Sequence, residues 1–213
     1  MGDTLAMVSA GDSPGNFKEA MRRHASGVTL ITTHSADRSP IGMTATAFSS
    51  VSMNPRLVLI CLHHETRTYE RLLRSGYFGV NLLVSGAEPI SDHCSRPGGT
   101  KVLPPEWLLS GPQWTAPAVK GSLAFLDCEI YRCFPAGSHY IVVGRVRGIG
   151  LAEQPWDTAD PAGDPAGPLL YFQGAYHALQ SPQAPAAQNI SATADPVGAA
   201  AQPARPATAG GVS

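Results

Sequence analysis

The feature that most limits how this chain can fold is a succession of short, β-branched apolar runs separated by turn residues. Residues 27–33, 41–52, 57–62, 77–83, 122–134, 139–146 and 169–172 each have the length and side chains of a strand. A polar turn through 35–40 follows the first run, and Asn54-Pro55 separates the next two. Pro135, Ala136 and Gly137 make 122–134 and 139–146 a natural hairpin. Helical spacing is confined to three places. Residues 16–25 place Phe17, Ala20, Met21 and His24 on one face, 66–74 carry Tyr69, Leu72 and Leu73 behind a Thr66 cap, and 87–94 allow a turn or two. Many strands with few helices, and no internal repeat, predict a mainly β, antiparallel barrel.

The 213 residues suit one ordinary domain plus an extension. From Ser181 onward there is no aromatic residue, and the only large aliphatics are Ile190, Val197 and Val212. Such a segment buries too little apolar area to offset its ordering entropy. We therefore expect a flexible N-terminus at 1–14, a folded domain at 15–180 and a disordered tail at 181–213, with a long surface loop over 153–168. Fifteen Lys and Arg against 16 Asp and Glu give a net charge of −1, with no basic stripe, which disfavours nucleic acid and membrane surfaces as partners. No apolar run approaches the ~20 residues that span a bilayer, and the first residues lack a basic-then-apolar leader. A soluble, cytoplasmic protein is expected. The four cysteines include no C-x-x-C, so reduced, buried thiols are expected. The seven histidines show no metal-ligand spacing; His63 and His64 are adjacent, which on a strand points them to opposite faces.

Four stretches carry polar groups suited to a ligand. In 42–52, read as one strand, Thr44, Thr46, Phe48, Ser50 and Ser52 share a face, and Ala45, Ala47, Ser49 and Val51 share the other. Small hydroxyls beside alanines leave backbone amides approachable by a polar planar ligand, although an edge strand facing water has the same composition. Glu65, Thr66 and Arg67 open a helix, where free N–H groups and a guanidinium suit phosphate, or simply cap the helix. His139 follows a turn at the start of a strand, and Tyr171 to Gly174 is an aromatic strand end that core packing would equally explain.

The order of these stretches is more informative than any one of them. GVTLITT, GMTATAFSSVSMNP, LVLICL, ETRTYERL, YFGVNLL, GSLAFLDCEIYRC, GSHYIVVGRV and PLLYFQGAYHAL occur in that sequence. The run from Phe17 to Leu179 closely resembles the short-chain flavin reductases, the reductase components of two-component flavin-dependent monooxygenases. The resemblance implies an FMN-binding split β-barrel, usually a homodimer, that passes hydride from NADH or NADPH to FMN or FAD and supplies reduced flavin to a monooxygenase. It further implies that Thr44, Ala45, Thr46, Ala47, Phe48, Ser50 and Val51 line the flavin, and that Glu65, Thr66 and Arg67 lie near its phosphate. His139, Tyr171, Phe172, Gln173 and Gly174 would face the nicotinamide, with His139 positioning it. Ser138 stands where the family usually has aspartate. The alternatives are a split-barrel flavoprotein with fixed FMN reducing another substrate, and a non-catalytic flavin- or haem-binding protein. Hydride transfer belongs to the cofactors, so neither a catalytic triad nor a carboxylate pair is required. No G-x-G-x-x-G loop marks a separate nicotinamide domain.

Overall fold

The computed structural model describes residues 9–110, 114–152 and 167–179. The tail at 181–213, most of the loop at 153–168 and the first part of the N-terminal stretch lie outside the described residues. In chain order the elements are α1 (Pro14–Arg22), β1 (Ser26–Gly27), β2 (Thr29–His34), β3 (Pro40–Ala45), β4 (Phe48–Met53) and β5 (Arg56–His63). They continue with α2 (Arg67–Ser75), β6 (Tyr77–Leu83), α3 (Glu88–Ser95), a 3-10 turn (Pro105–Trp107), β7 (Ser122–Ala136), β8 (His139–Leu151), β9 (Leu169–Phe172) and β10 (Ala175–Ala178).

Seven strands form one antiparallel sheet in the order β3-β2-β6-β7-β8-β5-β4, and β1-β9-β10 form a second. β3 and β4 are consecutive in the chain yet occupy opposite edges of the large sheet. The sheet curls so that the two edges approach, and the Cys61 N–H donates to the Ala47 carbonyl at 3.1 Å across the gap. This is the expected split antiparallel barrel. Its interior is packed by Ile31, Ile60, Leu62, Leu72, Phe78 and Val142. The other face of the sheet is covered by Leu30, Leu83, Ile90, Cys94, Leu103 and Leu169. β2, central to both clusters, is buried over five of its six residues. Its threonines are tolerated there because each hydroxyl is bonded: Thr29 to the Ala45 carbonyl (2.7 Å), Thr32 to the Pro117 carbonyl (2.6 Å) and Thr33 to the Tyr77 carbonyl (3.1 Å). Gly144 is required by close packing, since a Cβ there would enter the ring of Phe78.

Several expectations are corrected. The run 41–52 is two strands rather than one, broken at Thr46 and Ala47, so the alternation that placed Thr44 beside Ser50 and Ser52 does not hold. The break was invisible because Thr46 and Ala47 are neither turn nor breaker residues. β5 ends at His63, so His64 leaves the strand. The two rings lie 4.9 Å apart instead of on opposite faces. β9 is followed by β10, because Gln173 (φ 51°) and Gly174 (φ 86°) form a two-residue hairpin turn. The β7–β8 hairpin runs further than expected, with its turn at Gly137 and Ser138. α1 begins earlier than 16, with Ser13 as its cap (Asn16 N–H to Ser13 Oγ, 3.2 Å) and Pro14 in its first turn. Its apolar side chains Phe17 and Met21 are exposed by 66% and 51%. The four cysteines are free; Cys94 and Cys128 are buried, Cys61 and Cys133 only partly.

Candidate functional site

A cleft of about 810 Å³ opens where the end of β3, the start of α2, the end of α3 with the loop after it, and the β9–β10 hairpin converge. That volume lies within the range of sites that hold nucleotide-sized ligands, roughly 300–1,000 Å³.

The β3 wall comprises Met43, Thr44, Ala45 and Thr46. β3 is an edge strand, and its first half is covered by the segment 101–103: the Gly42 N–H donates to the Lys101 carbonyl (2.9 Å) and the Leu103 N–H to the Pro40 carbonyl (2.8 Å). Backbone groups alternate along a strand, so the N–H and C=O of Thr44 project from the same edge as those of Gly42. At Thr44 the covering segment has ended and the cleft begins. The hydroxyl of Thr44 is committed elsewhere, donating to the Ser91 carbonyl at 2.7 Å. Thr44 therefore presents backbone to the cleft, while its side chain ties β3 to α3.

The α2 wall consists of His63, Glu65, Thr66, Arg67 and Thr68. Thr66 is the cap, its Oγ1 accepting from the Tyr69 N–H (3.3 Å) and donating to the His63 carbonyl (2.9 Å). The helix ladder leaves the amides of Arg67 and Thr68 without intrahelical acceptors. Those amides, the positive end of the helix dipole and the exposed Arg67 guanidinium make this wall suited to an anion.

The third wall comprises Asp92, Cys94, Ser95, Pro97, Gly98, Gly99 and Lys101. Lys101 adopts φ 58° and donates from Nζ to the Cys94 carbonyl, capping the last turn of α3. Burial pulls its ammonium below the usual lysine range, opposed by the neighbouring Cys94. Burial pushes the Cys94 thiol up to about 12, with Lys101 acting the other way, so it stays protonated and is no nucleophile. The fourth wall is Tyr171, Gly174, Ala175 and Tyr176. The Tyr176 hydroxyl is shared with Ser91 Oγ (2.8 Å) and donates to Asp92 Oδ1 (3.0 Å), and burial raises its pKa. α1 clamps this hairpin: Arg22 Nη2 donates to the Gln173 carbonyl (2.7 Å), and the Gln173 N–H to the Arg22 carbonyl (3.0 Å).

Of the residues singled out from the sequence, the cleft brings together Thr44, Ala45, Thr46, Glu65, Thr66, Arg67, Tyr171 and Gly174. Ala47, Phe48, Ser50 and Val51 follow the strand break and do not line it; Phe48 instead borders a separate groove beside Val28 and Thr29. Phe172 packs near His177, and Gln173 points its backbone at Arg22. His139 is exposed and reaches the cleft region only through His63, with ring centroids 5.1 Å apart. His63, Asp92, Lys101 and Tyr176 were not anticipated. The Arg96-Pro-Gly-Gly stretch just before Lys101 was the available signal, a turn-rich loop ending in a cation. Among the described residues, no group of three or more His, Cys, Asp or Glu is arranged to hold a metal ion.

Comparison with known proteins agrees with this geometry. The family model described as the flavin reductase like domain matches residues 21–180. The reductase component of 4-hydroxyphenylacetate 3-monooxygenase from Thermus thermophilus is 36% identical over 167 residues, covering 78% of this chain and 97% of that protein. The NADH-dependent flavin reductase of a Rhodococcus species is 30% identical over 182 residues, covering 84% and 94%. Among solved structures, the NADH:FAD oxidoreductase of Streptomyces globisporus in complex with NAD and FAD fragments superposes with a TM-score of 0.67 at 27% identity, covering 86% of this chain and all of that one. On fold, cleft and sequence together, the chain belongs to the flavin reductase family.

Proposed function

We propose that this chain is an NADH-dependent flavin reductase that takes FMN or FAD into the cleft, reduces it and supplies it to a partner monooxygenase. The observation that carries this reading is the joining, in one cleft, of a free strand edge at Thr44 with a cationic helix start at Arg67. A flavin needs both: donors along its planar ring and a seat for its phosphate. The bound flavin and nicotinamide supply the hydride chemistry themselves.

The chain's own residues hold and orient. The Thr44 backbone and the small side chains of Ala45 and Thr46 allow a flat ring to lie against β3 and offer it oriented peptide dipoles. Arg67 and the first-turn amides of α2 hold phosphate through charge-assisted bonds, and Lys101 adds a second cation from the opposite wall. Tyr171 and Tyr176 give the cleft an aromatic side, their rings 5.6 Å apart, on which the nicotinamide would pack. The remaining expected flavin and nicotinamide contacts, Ala47, Phe48, Ser50, Val51, His139, Phe172 and Gln173, would reach the ligands only through a neighbouring subunit or a rearranged chain. A homodimer fits this reading, because Phe17, Met21 and Met53 lie exposed on the single chain. A cytoplasmic location, where NADH is available, is part of the same proposal. Among the described residues, no helix is long and apolar enough to cross a membrane.

The test is NADH oxidation by desalted protein with and without added FMN, FAD or riboflavin. Saturable turnover that depends on added flavin is expected, faster with NADH than with NADPH. Protein that stays yellow through desalting and oxidises NADH without added flavin would point to fixed FMN. Flavin binding without turnover would point to a carrier.

A further inference from the structure

The nearest imidazole to the cleft is that of His63, and its tautomer is set by the backbone. The Glu65 N–H donates to His63 Nδ1 at 3.3 Å, so Nδ1 carries a lone pair and the ring proton lies on Nε2. His63 lines the cleft between Met43 to Thr46 and Glu65 to Thr68. His139 meets the His63 ring edge to face at 5.1 Å, and is itself bonded through Nδ1 to Ser138 Oγ at 3.0 Å. The Ser138 carbonyl accepts the His64 N–H at 3.1 Å, which joins the β7–β8 turn to the end of β5. His64 stacks on the other side of the His63 ring, 4.9 Å away. A side chain held by a backbone donor and by rings on two sides is preorganised, and the one donor it has left is Nε2–H.

We infer that His63 is a ligand-contacting residue of this cleft, donating from Nε2 to an acceptor on the nucleotide beside Arg67, and that Ser138 and His139 are positioning residues that hold its ring. The inference rests on the proposed flavin site. It moves the ligand contact from His139 to a histidine that the sequence patterning had treated as an unremarkable strand end. It also gives Ser138 a task in place of the family's aspartate: a neutral hydroxyl orients His139 without placing a carboxylate behind the imidazole pair.

Glutamine places an amide N–H near the position of Nε2, whereas asparagine places one near Nδ1. The experiment measures the FMN dissociation constant by flavin fluorescence quenching, in the absence of nicotinamide, for the wild type and for His63→Gln, His63→Asn, His63→Ala and His139→Ala. Thermal melting of each variant is followed in parallel. His63→Ala should weaken FMN about ten-fold, the usual order for losing one hydrogen bond to a charged group, and His63→Gln should recover most of that loss while His63→Asn does not. His139→Ala should weaken FMN by less, and adding it to His63→Ala should cost almost nothing more. An unchanged constant in His63→Ala, or a larger loss in His139→Ala than in His63→Ala, would overturn the assignment. Failure of the wild type to bind FMN would instead overturn the proposed function on which it rests.

Discussion

Arg67 and Lys101 face each other across the cleft and differ in how they respond to their surroundings. Arg67 is exposed and keeps its charge at any accessible pH. Replacing it with alanine should raise the flavin constant roughly ten-fold, by loss of a charge-assisted contact, while turnover at saturating flavin stays near the wild-type value. A titration of initial rate against flavin separates the two effects, and a fall in saturated turnover at unchanged affinity would remove Arg67 from the phosphate site. Lys101 is partly desolvated, so its folded pKa lies below the usual 10.5. As pH rises through that lowered value the cation is lost, and flavin affinity should fall earlier than an ordinary lysine would allow. Fold stability moves the other way: between the folded pKa and 10.5 the unfolded chain binds more protons, so this group's contribution to stability increases with pH. Lys101→Arg, permanently charged, should abolish the alkaline loss of affinity without altering binding near neutrality. Arg67 was legible in the sequence because it stands beside its own cap, whereas Lys101 was not, because its cleft partners come from β3, α2 and the β9–β10 hairpin.

α2 shows how an element positions a site from local sequence alone. Thr66 caps it, Gly76 ends it in a left-handed turn (φ 74°), and Tyr69 and Leu72 fix it to the barrel interior. The helix and its cap were readable because every signal lies within ten residues. Thr66→Ala should cost about 1 kcal/mol of stability, measured by urea unfolding. It should also weaken flavin binding, since the same hydroxyl holds the His63 carbonyl. Thr66→Ser, which keeps the hydroxyl, should restore both, and an alanine variant of undiminished stability would show that the cap contributes nothing. The β3–β4 pair is the opposite case. Its residue composition gave the right region for the cleft, but the parity of its side chains was wrong beyond Thr46. What breaks the strand is tertiary: β3 needs β2 as partner, β4 needs β5, and these lie at opposite edges of one curled sheet. A local pattern of small residues carries no information about which edge each half will join.

At the scale of the molecule, the single chain leaves apolar surface where a folded domain would ordinarily cover it. Phe17 (66% exposed) and Met21 (51%) form the apolar side of α1, and none of that helix is buried. Met53 (87%) at the end of β4 and Leu151 (74%) at the end of β8 are barer still. Side chains of this size do not stabilise a monomer from such positions, and together they exceed the scattered exposure of a typical soluble surface. The helix periodicity that predicted α1 was therefore correct about its apolar face. What the sequence could not indicate is that this face points away from its own core, since amphipathicity is the same whether the covering surface belongs to the same chain or another. A second copy of the chain is the expected cover. Sedimentation equilibrium should give about twice the monomer mass, and the pair Phe17→Glu with Met21→Lys should shift it toward the monomer. The new charges lie four residues apart in the order that supports a helix, so α1 itself should persist by circular dichroism. A wild-type chain that sediments as a monomer at micromolar concentration would show that the bare face of α1 is not a subunit contact. A variant that remains dimeric would place the contact elsewhere, with the exposed ends of β4 and β8 the next surface to charge.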